Sequence, residues 1–161
     1  MKKWPKLTLV AHTGSHLIAS AVLSTGPSQD CPLFEPAMLR ATWNLEIDRL
    51  LADGGYDSEA NHRLARRDLG IRSTVINLNR RGKGIGRKPS RRKWAKSPYR
   101  RQMYRRFHRR KYGQRWQAES AISRHKRLLG PALRGRSEAS RERECLLRVL
   151  THNLMLLAAV P

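Results

Sequence analysis

The sequence predicts an α/β fold, because strand-like and helix-like segments alternate in its first half and helical segments fill its second half. Short apolar runs rich in β-branched residues, such as residues 73–78, are typical of strands. Apolar residues three and four positions apart, as in residues 32–45, are typical of helices. A chain of 161 residues is long enough for one domain with a modest core, which we expect to span residues 1–161.

Each element can be predicted in chain order from its pattern and its boundaries. Residues 6–13 and 16–25 are strand-like runs around Gly14-Ser15, which predicts a β-hairpin. Gly70 marks the end of a helix that begins near Asp57 or Ser58, and of these two N-cap candidates we expect Asp57 to cap the helix. The other predicted elements are a helix over 32–45, a strand over 47–52 ending at Asp53, a strand over 73–78, a helix over 99–107 leading into one over 112–126, and a final helix from Ser137 to about Ala158.

The charge of the chain points to a polyanionic partner. Lys and Arg number 34 against 12 Asp and Glu, giving a formal net charge of +22. Residues 80–111 alone contain sixteen Lys or Arg in thirty-two residues and no acid, so we interpret them as a basic insertion. Such an excess repels itself unless nucleic acid offsets it. The candidate DNA-binding cations are Arg100, Arg101, Arg105, Arg106, Arg109 and Arg110.

Cysteine usage and hydropathy indicate a cytoplasmic protein with no membrane partner. The two cysteines, Cys31 and Cys145, are far apart and belong to no CxxC or Cys/His cluster, which fits a reducing compartment. The apolar C-terminal run is interrupted by Arg148, His152 and Asn153, and a membrane span needs roughly 20 apolar residues. We therefore expect this run to form a buried helix.

The most informative motif surrounds Glu119, the only carboxylate between Asp68 and Glu138. Tyr112, Arg115, Glu119 and Lys126 are separated by three, four and seven residues. On one α-helix these steps return to nearly one face, with a drift of only about 20° per heptad. A carboxylate binds a hard cation through oxygen, while the cations and the phenol bind phosphate oxygens. The spacing therefore predicts a helix face that holds a metal ion and a DNA phosphate together.

This pattern, Tyr-x2-Arg-x3-Glu-x6-Lys, resembles the signature of bacterial insertion-sequence transposases of the DDE type, in their Tyr-Arg-Glu-Lys subgroup. Residues 51–58 resemble the strand of that family that carries its second catalytic aspartate, here Asp53. Residues 143–154 resemble the closing helix of these domains, and the likeness extends from about Trp4 to Ala158. The resemblance implies a ribonuclease-H-like, retroviral-integrase-type domain with C-terminal helices.

The resemblance also implies a reaction and its participants. The reaction would be metal-dependent phosphodiester cleavage and strand transfer in DNA transposition. Asp53 and Glu119 would be catalytic residues and ligands of Mg²⁺ or Mn²⁺, which two-metal enzymes use at phosphorus. Tyr112, Arg115 and Lys126 would position the cleaved DNA end. The implied partners are transposon ends and target DNA, with a homodimer in the intact synaptic complex, associated with a prokaryotic nucleoid.

One carboxylate of the family pattern has no counterpart here. The family carries its first catalytic Asp on a strand that would precede residues 6–13, whereas no acid occurs before Asp30. Asp30 follows a Gly-Pro-Ser turn and Asp48 begins a strand, so neither is a convincing substitute. We therefore expect a catalytic domain that lacks its first strand and is inactive as this chain. Because that strand is central in such sheets, we also expect two sheet edges without their usual neighbour.

Two other classes of function stay open at the level of sequence. The chain could be a non-catalytic DNA-binding remnant or an inhibitor of an intact transposase. The charge alone would also suit a ribosome- or RNA-associated basic protein. Aromatic residues among the cations, such as Tyr99, could stack on bases or anchor the basic segment to the core.

Overall fold

The computed structural model describes residues 4–79, 96–130 and 132–159. Their backbone forms two compact units. The hairpin unit comprises Met1–Ser28, Pro36–Leu45 and Arg115–Pro161, and the parallel-sheet unit comprises Gln29–Glu35 and Glu46–Gln114. The prediction of a single domain over residues 1–161 stays a prediction.

The hairpin unit begins with the β-hairpin that the sequence predicts. Strands β1 (Trp4–Ala11) and β2 (Ile18–Gly26) pair antiparallel, with Leu7 opposite Leu23. The register shifts between Val10 and Ala11, next to the turn. The hairpin is confirmed, and its strands end one or two residues away from the predicted limits.

Three helices supply the rest of the hairpin unit. Most of α1 (Phe34–Asn44) belongs to it, and the helix buries Met38 and Ala41. The other two are α5 (Trp116–Leu129) and α6 (Glu138–Ala158). Asn153 on α6 binds the backbone of β2 twice, accepting from Ile18 N at 2.8 Å and donating to Ile18 O at 2.9 Å. These contacts fix α6 to the start of β2.

The parallel-sheet unit is a strand–helix–strand arrangement. Strands β3 (Arg49–Ala52) and β4 (Ser73–Ile76) run parallel, with Leu50 opposite Thr74. Helix α2 (Glu59–Arg63) begins after Ser58 and continues as a π-helical turn over Leu64–Asp68. The sequence predicted one helix over 58–69, so its extent is confirmed while the widening of its second half was missed.

Two short helices follow within the same unit. Helix α3 spans Pro98–Arg105 and α4 spans Arg109–Gly113. They occupy the second half of the predicted basic insertion, whose first half, residues 80–95, lies outside the described residues. The helix predicted over 99–107 is therefore confirmed as α3.

In the described ranges, the strands form two separate sheets of two strands each, β1–β2 and β3–β4. The mixed α/β composition agrees with the sequence prediction. The ribonuclease-H-like arrangement of these strands stays a prediction. Within the same ranges, none of the helices combines the length and the apolar character that crossing a membrane requires.

Candidate catalytic and DNA-binding site

Asp53 lies where the sequence places it, directly after β3. Its Oδ1 accepts a hydrogen bond from Gly54 N at 2.7 Å, and its backbone oxygen accepts one from Tyr56 N at 3.0 Å. It thereby caps a 3-10 turn over Gly54–Tyr56, and its side chain is exposed. An exposed carboxylate at the carboxyl end of a parallel strand is in the usual position of a ligand-binding group in α/β folds.

The glycines after Asp53 allow other groups to approach the turn closely. A Cβ atom added at Gly54 would lie 3.2 Å from the backbone oxygen of Asn77, which follows β4. A Cβ at Gly55 would clash with the carboxylate of Asp30. Asp30 therefore lies against the Asp53 turn, a proximity that sequence reasoning missed. The only signal in the sequence was the Gly-Gly pair, which shows that a close neighbour fits but not which one.

Asp57 and Arg100 form a buried ion pair. The Asp57 carboxylate has no exposed surface and accepts from Arg100 Nη2 at 2.7 Å and from Arg100 Nε at 3.0 Å. It also accepts from Asn79 N at 2.8 Å. The expectation that Asp57 caps α2 is wrong, because Ser58 is the N-cap and its Oγ accepts from Asn61 N. Asp57 instead ties α3 to the segment after β4.

Arg100 was a candidate DNA contact, and the structure gives it an additional structural role. Its backbone N donates to Glu59 at 3.1 Å, and only 23% of its side chain is exposed. The aromatic residue before it, Tyr99, stacks on His62 with ring centroids 6.2 Å apart and lies beneath the guanidinium of Arg66. The sequence left two interpretations of Tyr99, stacking on bases or anchoring the basic segment to the core. Its contacts with His62 and Arg66 agree with anchoring.

The chain does not form one helix from Tyr112 to Lys126, so that expectation is wrong. Helix α4 ends at Gly113 and α5 begins at Trp116, with Arg115 as its N-cap. Glycine lowers helix stability at this point, and Gln114 N closes a tight turn by donating to Lys111 O at 3.1 Å. Tyr112 packs its ring on Phe107 at 5.0 Å and belongs to a different helix from Glu119.

The other three motif residues follow the predicted spacing on α5. Arg115 Nη1 lies 2.9 Å from Glu119 Oε1, an ion pair across one helical turn. Glu119 is in the first turn of α5, where the positive end of the helix dipole favours a carboxylate. Lys126 follows two turns later and is exposed. Glu119 is itself exposed, with 60% of its side chain open to solvent.

A set of cations lies on the surface of α3, α4 and the short segment between them. Their side chains are exposed, unlike that of Arg100. No acid lies among them, so their potentials add. The exposed members of the predicted set are Arg101, Arg105, Arg106, Arg109 and Arg110.

A comparison of the sequence with known protein families shows which family this chain matches. The family model described as Transposase DDE domain matches residues 2–154. The chain belongs to the DDE transposase family. No curated protein and no solved structure matches the chain. The resemblance that the motif gave at the level of the family is confirmed, and the Tyr-Arg-Glu-Lys subgroup stays a prediction.

The positions of the acidic residues bear on the metal site that a DDE transposase would use. Asp53 belongs to the parallel-sheet unit and Glu119 to the hairpin unit. In the part of the chain that the structure describes, no three His, Cys, Asp or Glu residues come together as a metal site. The metal-binding roles predicted for Asp53 and Glu119 therefore stay predictions.

Proposed function

We propose that this chain is the catalytic region of an insertion-sequence transposase of the Tyr-Arg-Glu-Lys subgroup, acting on DNA by metal-dependent phosphodiester cleavage and strand transfer. The match to the Transposase DDE domain over residues 2–154 carries this proposal. The position of Glu119 beside Arg115 in the first turn of α5 supports the subgroup. DNA would be the substrate as transposon end and as target, and two copies of the chain would act together.

Asp53 and Glu119 are the proposed metal-binding and catalytic residues. Transposases of this family typically use divalent ions, and exposed carboxylates have the oxygen donors that Mg²⁺ or Mn²⁺ prefers. The described residues nevertheless do not assemble the three acidic groups that such a site needs. We therefore propose that the chain by itself cleaves DNA poorly or not at all.

The proposed DNA contacts divide into two groups with different tasks. Arg115 and Lys126 on α5, and Tyr112 on α4, would position the cleaved DNA end. The Arg115 guanidinium can bind two phosphate oxygens at once, a geometry that a lysine ammonium lacks. The exposed cations of α3 and α4 would bind the backbone without reading sequence. Arg100 belongs to this group in the sequence, but Asp57 holds its guanidinium, so we expect it to act mainly in folding.

A second candidate function is a non-catalytic DNA-binding protein that inhibits an intact transposase. One observation favours it: among the described residues, no three His, Cys, Asp or Glu side chains come together as a metal site. Such a protein would bind the same DNA and contribute no chemistry. Cleavage assays distinguish it from a catalytic region.

The DNA-binding part of the proposal is tested by a salt titration with filter binding or fluorescence anisotropy. With roughly 6–10 phosphate contacts, affinity should fall about 10³–10⁵-fold between 50 and 200 mM salt, because bound cations release condensed counterions. A variant with Gln at the five exposed arginines of α3 and α4 should show a much shallower dependence. An affinity that hardly changes with salt would contradict the proposal.

The catalytic part is tested by strand cleavage on DNA with Mg²⁺ or Mn²⁺. We expect the chain alone to give little product, and a fusion that supplies an Asp-bearing strand before β1 to give more. In that fusion, Glu119→Gln should abolish cleavage and retain DNA binding. Efficient cleavage by the chain alone that Asp53→Ala removes would show that a complete site exists without the added strand.

A further inference from the structure

The outer face of α6 carries a row of leucines that the described residues leave open to solvent. Leu147 is 63% exposed, Leu150 54%, Leu154 56% and Leu157 57%. Their spacing of three, four and three residues places them on one side of the helix, as in the contact positions of a coiled coil. Four exposed leucines in one stripe are more than the scattered apolar residues of an ordinary surface.

The opposite side of α6 already has its partners. Cys145 and His152 are buried there, and the His152 ring lies 5.7 Å from that of His125 on α5. The inner face of this half of α6 is therefore covered within the hairpin unit, whereas the leucines of the outer face are exposed. A contiguous exposed apolar stripe of this kind marks an interaction surface.

The charges on α6 indicate what kind of partner could pack on its outer face. The helix has three Arg and three Glu, so its net charge is zero in a chain of net charge +22. From Leu146 to Ala158 its only charged residue is Arg148. The Arg148 guanidinium binds Glu144 at 2.6 Å and Gly130 O at 2.8 Å. The leucine row itself thus offers DNA no cation, and its own residues bring no like charge against the same row of a second copy.

The leucine row is also symmetric along the chain. Leu147 and Leu157 lie five residues on either side of position 152, and Leu150 and Leu154 lie two residues on either side. An antiparallel copy of α6 would therefore place Leu147 opposite Leu157 and Leu150 opposite Leu154. This self-complementarity is what a two-fold symmetric interface needs, because the same patch serves both partners.

We propose that α6 forms a homodimer interface in which the leucine rows of two chains pack antiparallel. The inference rests on the pairing of two copies in the proposed function and assigns it to a specific surface. The row covers only about three helical turns, so the interface is a small one and its leucines should dominate its affinity.

The test is sedimentation equilibrium of the whole chain, treated with nuclease and kept at high salt so that nucleic acid does not bridge copies. We expect a concentration-dependent dimer. Leu150→Glu combined with Leu154→Glu should weaken it by about 30-fold or more, because the substitution places Glu opposite Glu at the centre. Leu128→Glu is the matched control, since Leu128 is 53% exposed on α5 outside the row and should leave the dimer intact.

Mixing two single variants tests whether the helices of the dimer run antiparallel or parallel. A heterodimer that forms on mixing also shows that both variants are folded. In an antiparallel pair, Leu150→Glu mixed with Leu154→Lys brings opposite charges together and should form a heterodimer. Leu150→Glu mixed with Leu150→Lys should not, because each charge then faces leucine; a parallel pair would give the reverse result. The proposal is overturned by a chain that stays monomeric, by a dimer that ignores the double Glu substitution, or by the parallel pattern of mixing. A monomer that still binds DNA would leave the DNA-binding proposal standing.

Discussion

The two units each contain an arginine–carboxylate pair, and the two pairs differ mainly in their exposure to water. In the parallel-sheet unit, Asp57 is fully buried and Arg100 binds it through two nitrogens. In the hairpin unit, Glu119 is 60% exposed, and Arg115 Nη1, on a side chain that is 31% exposed, lies 2.9 Å from its Oε1. The carboxylate is thus inside the protein in the first pair and at its surface in the second.

This difference indicates which pair stabilises the fold and which can take part in chemistry. A buried pair cannot lose one member without leaving a charge in a medium that solvates it poorly. An exposed pair contributes little stability, because water screens both charges. Asp57–Arg100 is therefore suited to holding α3 in place, whereas the exposed carboxylate of Glu119 is accessible from solvent.

The largest effect is expected from Asp57→Ala, which removes the acid of the buried pair. We expect the free energy of unfolding to fall by about 3–5 kcal/mol, because the substitution leaves the Arg100 guanidinium and Asn79 N without their acceptor. Chemical denaturation followed by circular dichroism measures the change. Asp53→Ala is the matched control, an exposed aspartate four residues earlier, and should cost about 1 kcal/mol, the value of a lost cap. Equal losses of unfolding free energy in Asp57→Ala and Asp53→Ala would mean that burial of the carboxylate does not determine its contribution to stability.

The next effect concerns pH and His62, which is buried in the same unit. Burial lowers the pKa of His62 from 6.5 to about 4, and its Nδ1 shares a hydrogen bond of 2.7 Å with Thr74 Oγ1. The unfolded chain takes up a proton near pH 6.5 while the folded chain does not, so stability should fall as the pH drops from about 6.5 to about 4. The loss from this residue should reach roughly 3 kcal/mol.

Unfolding free energies at a series of pH values measure this effect, with His62→Gln as the comparison. The variant should retain only part of the acid sensitivity. Burial also lowers the pKa of His125, aided by His152, so the hairpin unit should lose stability in the same direction. An unchanged pH profile in His62→Gln would contradict the assignment.

The smallest effect on stability is expected from Glu119→Gln. Because the Glu119 carboxylate is exposed, we expect the free energy of unfolding to change by about 0.5 kcal/mol or less. The same denaturation measurement checks it, alongside Asp57→Ala. A loss of several kcal/mol would mean that Glu119 is a structural residue, and the proposed catalytic role would lose its main support.

Much of the fold could be predicted from local patterns. The hairpin, α3, the last helix and the strand ending at Asp53 each follow from residues close together in sequence, such as Ser137, whose Oγ caps α6 by accepting from Ser140 N. The break between Tyr112 and Arg115 could have been predicted less easily. A spacing rule assumes a continuous helix, and Gly113 alone does not show that the helix ends there.

The contacts between distant residues could not be predicted from the sequence. Nothing near Asp57 indicates that its partner is Arg100, forty-three residues later. Arg100 and Arg101 look alike in a basic run, and only burial separates the structural arginine from its exposed neighbour. Likewise, the leucines of α6 predict a buried helix from the sequence alone. Only the structure shows that one face of this helix is exposed to solvent.

The most direct test of this account compares Arg100→Gln with Arg115→Gln, measuring DNA affinity at low salt and the free energy of unfolding for each. We predict that Arg100→Gln costs about 3 kcal/mol of stability and, where folded, binds DNA almost as the parent chain does. Arg115→Gln should change stability by about 0.5 kcal/mol or less and weaken DNA binding about 10-fold, the value of one strong phosphate contact. The opposite result, with Arg100→Gln weakening DNA binding and Arg115→Gln destabilising the fold, would contradict the account.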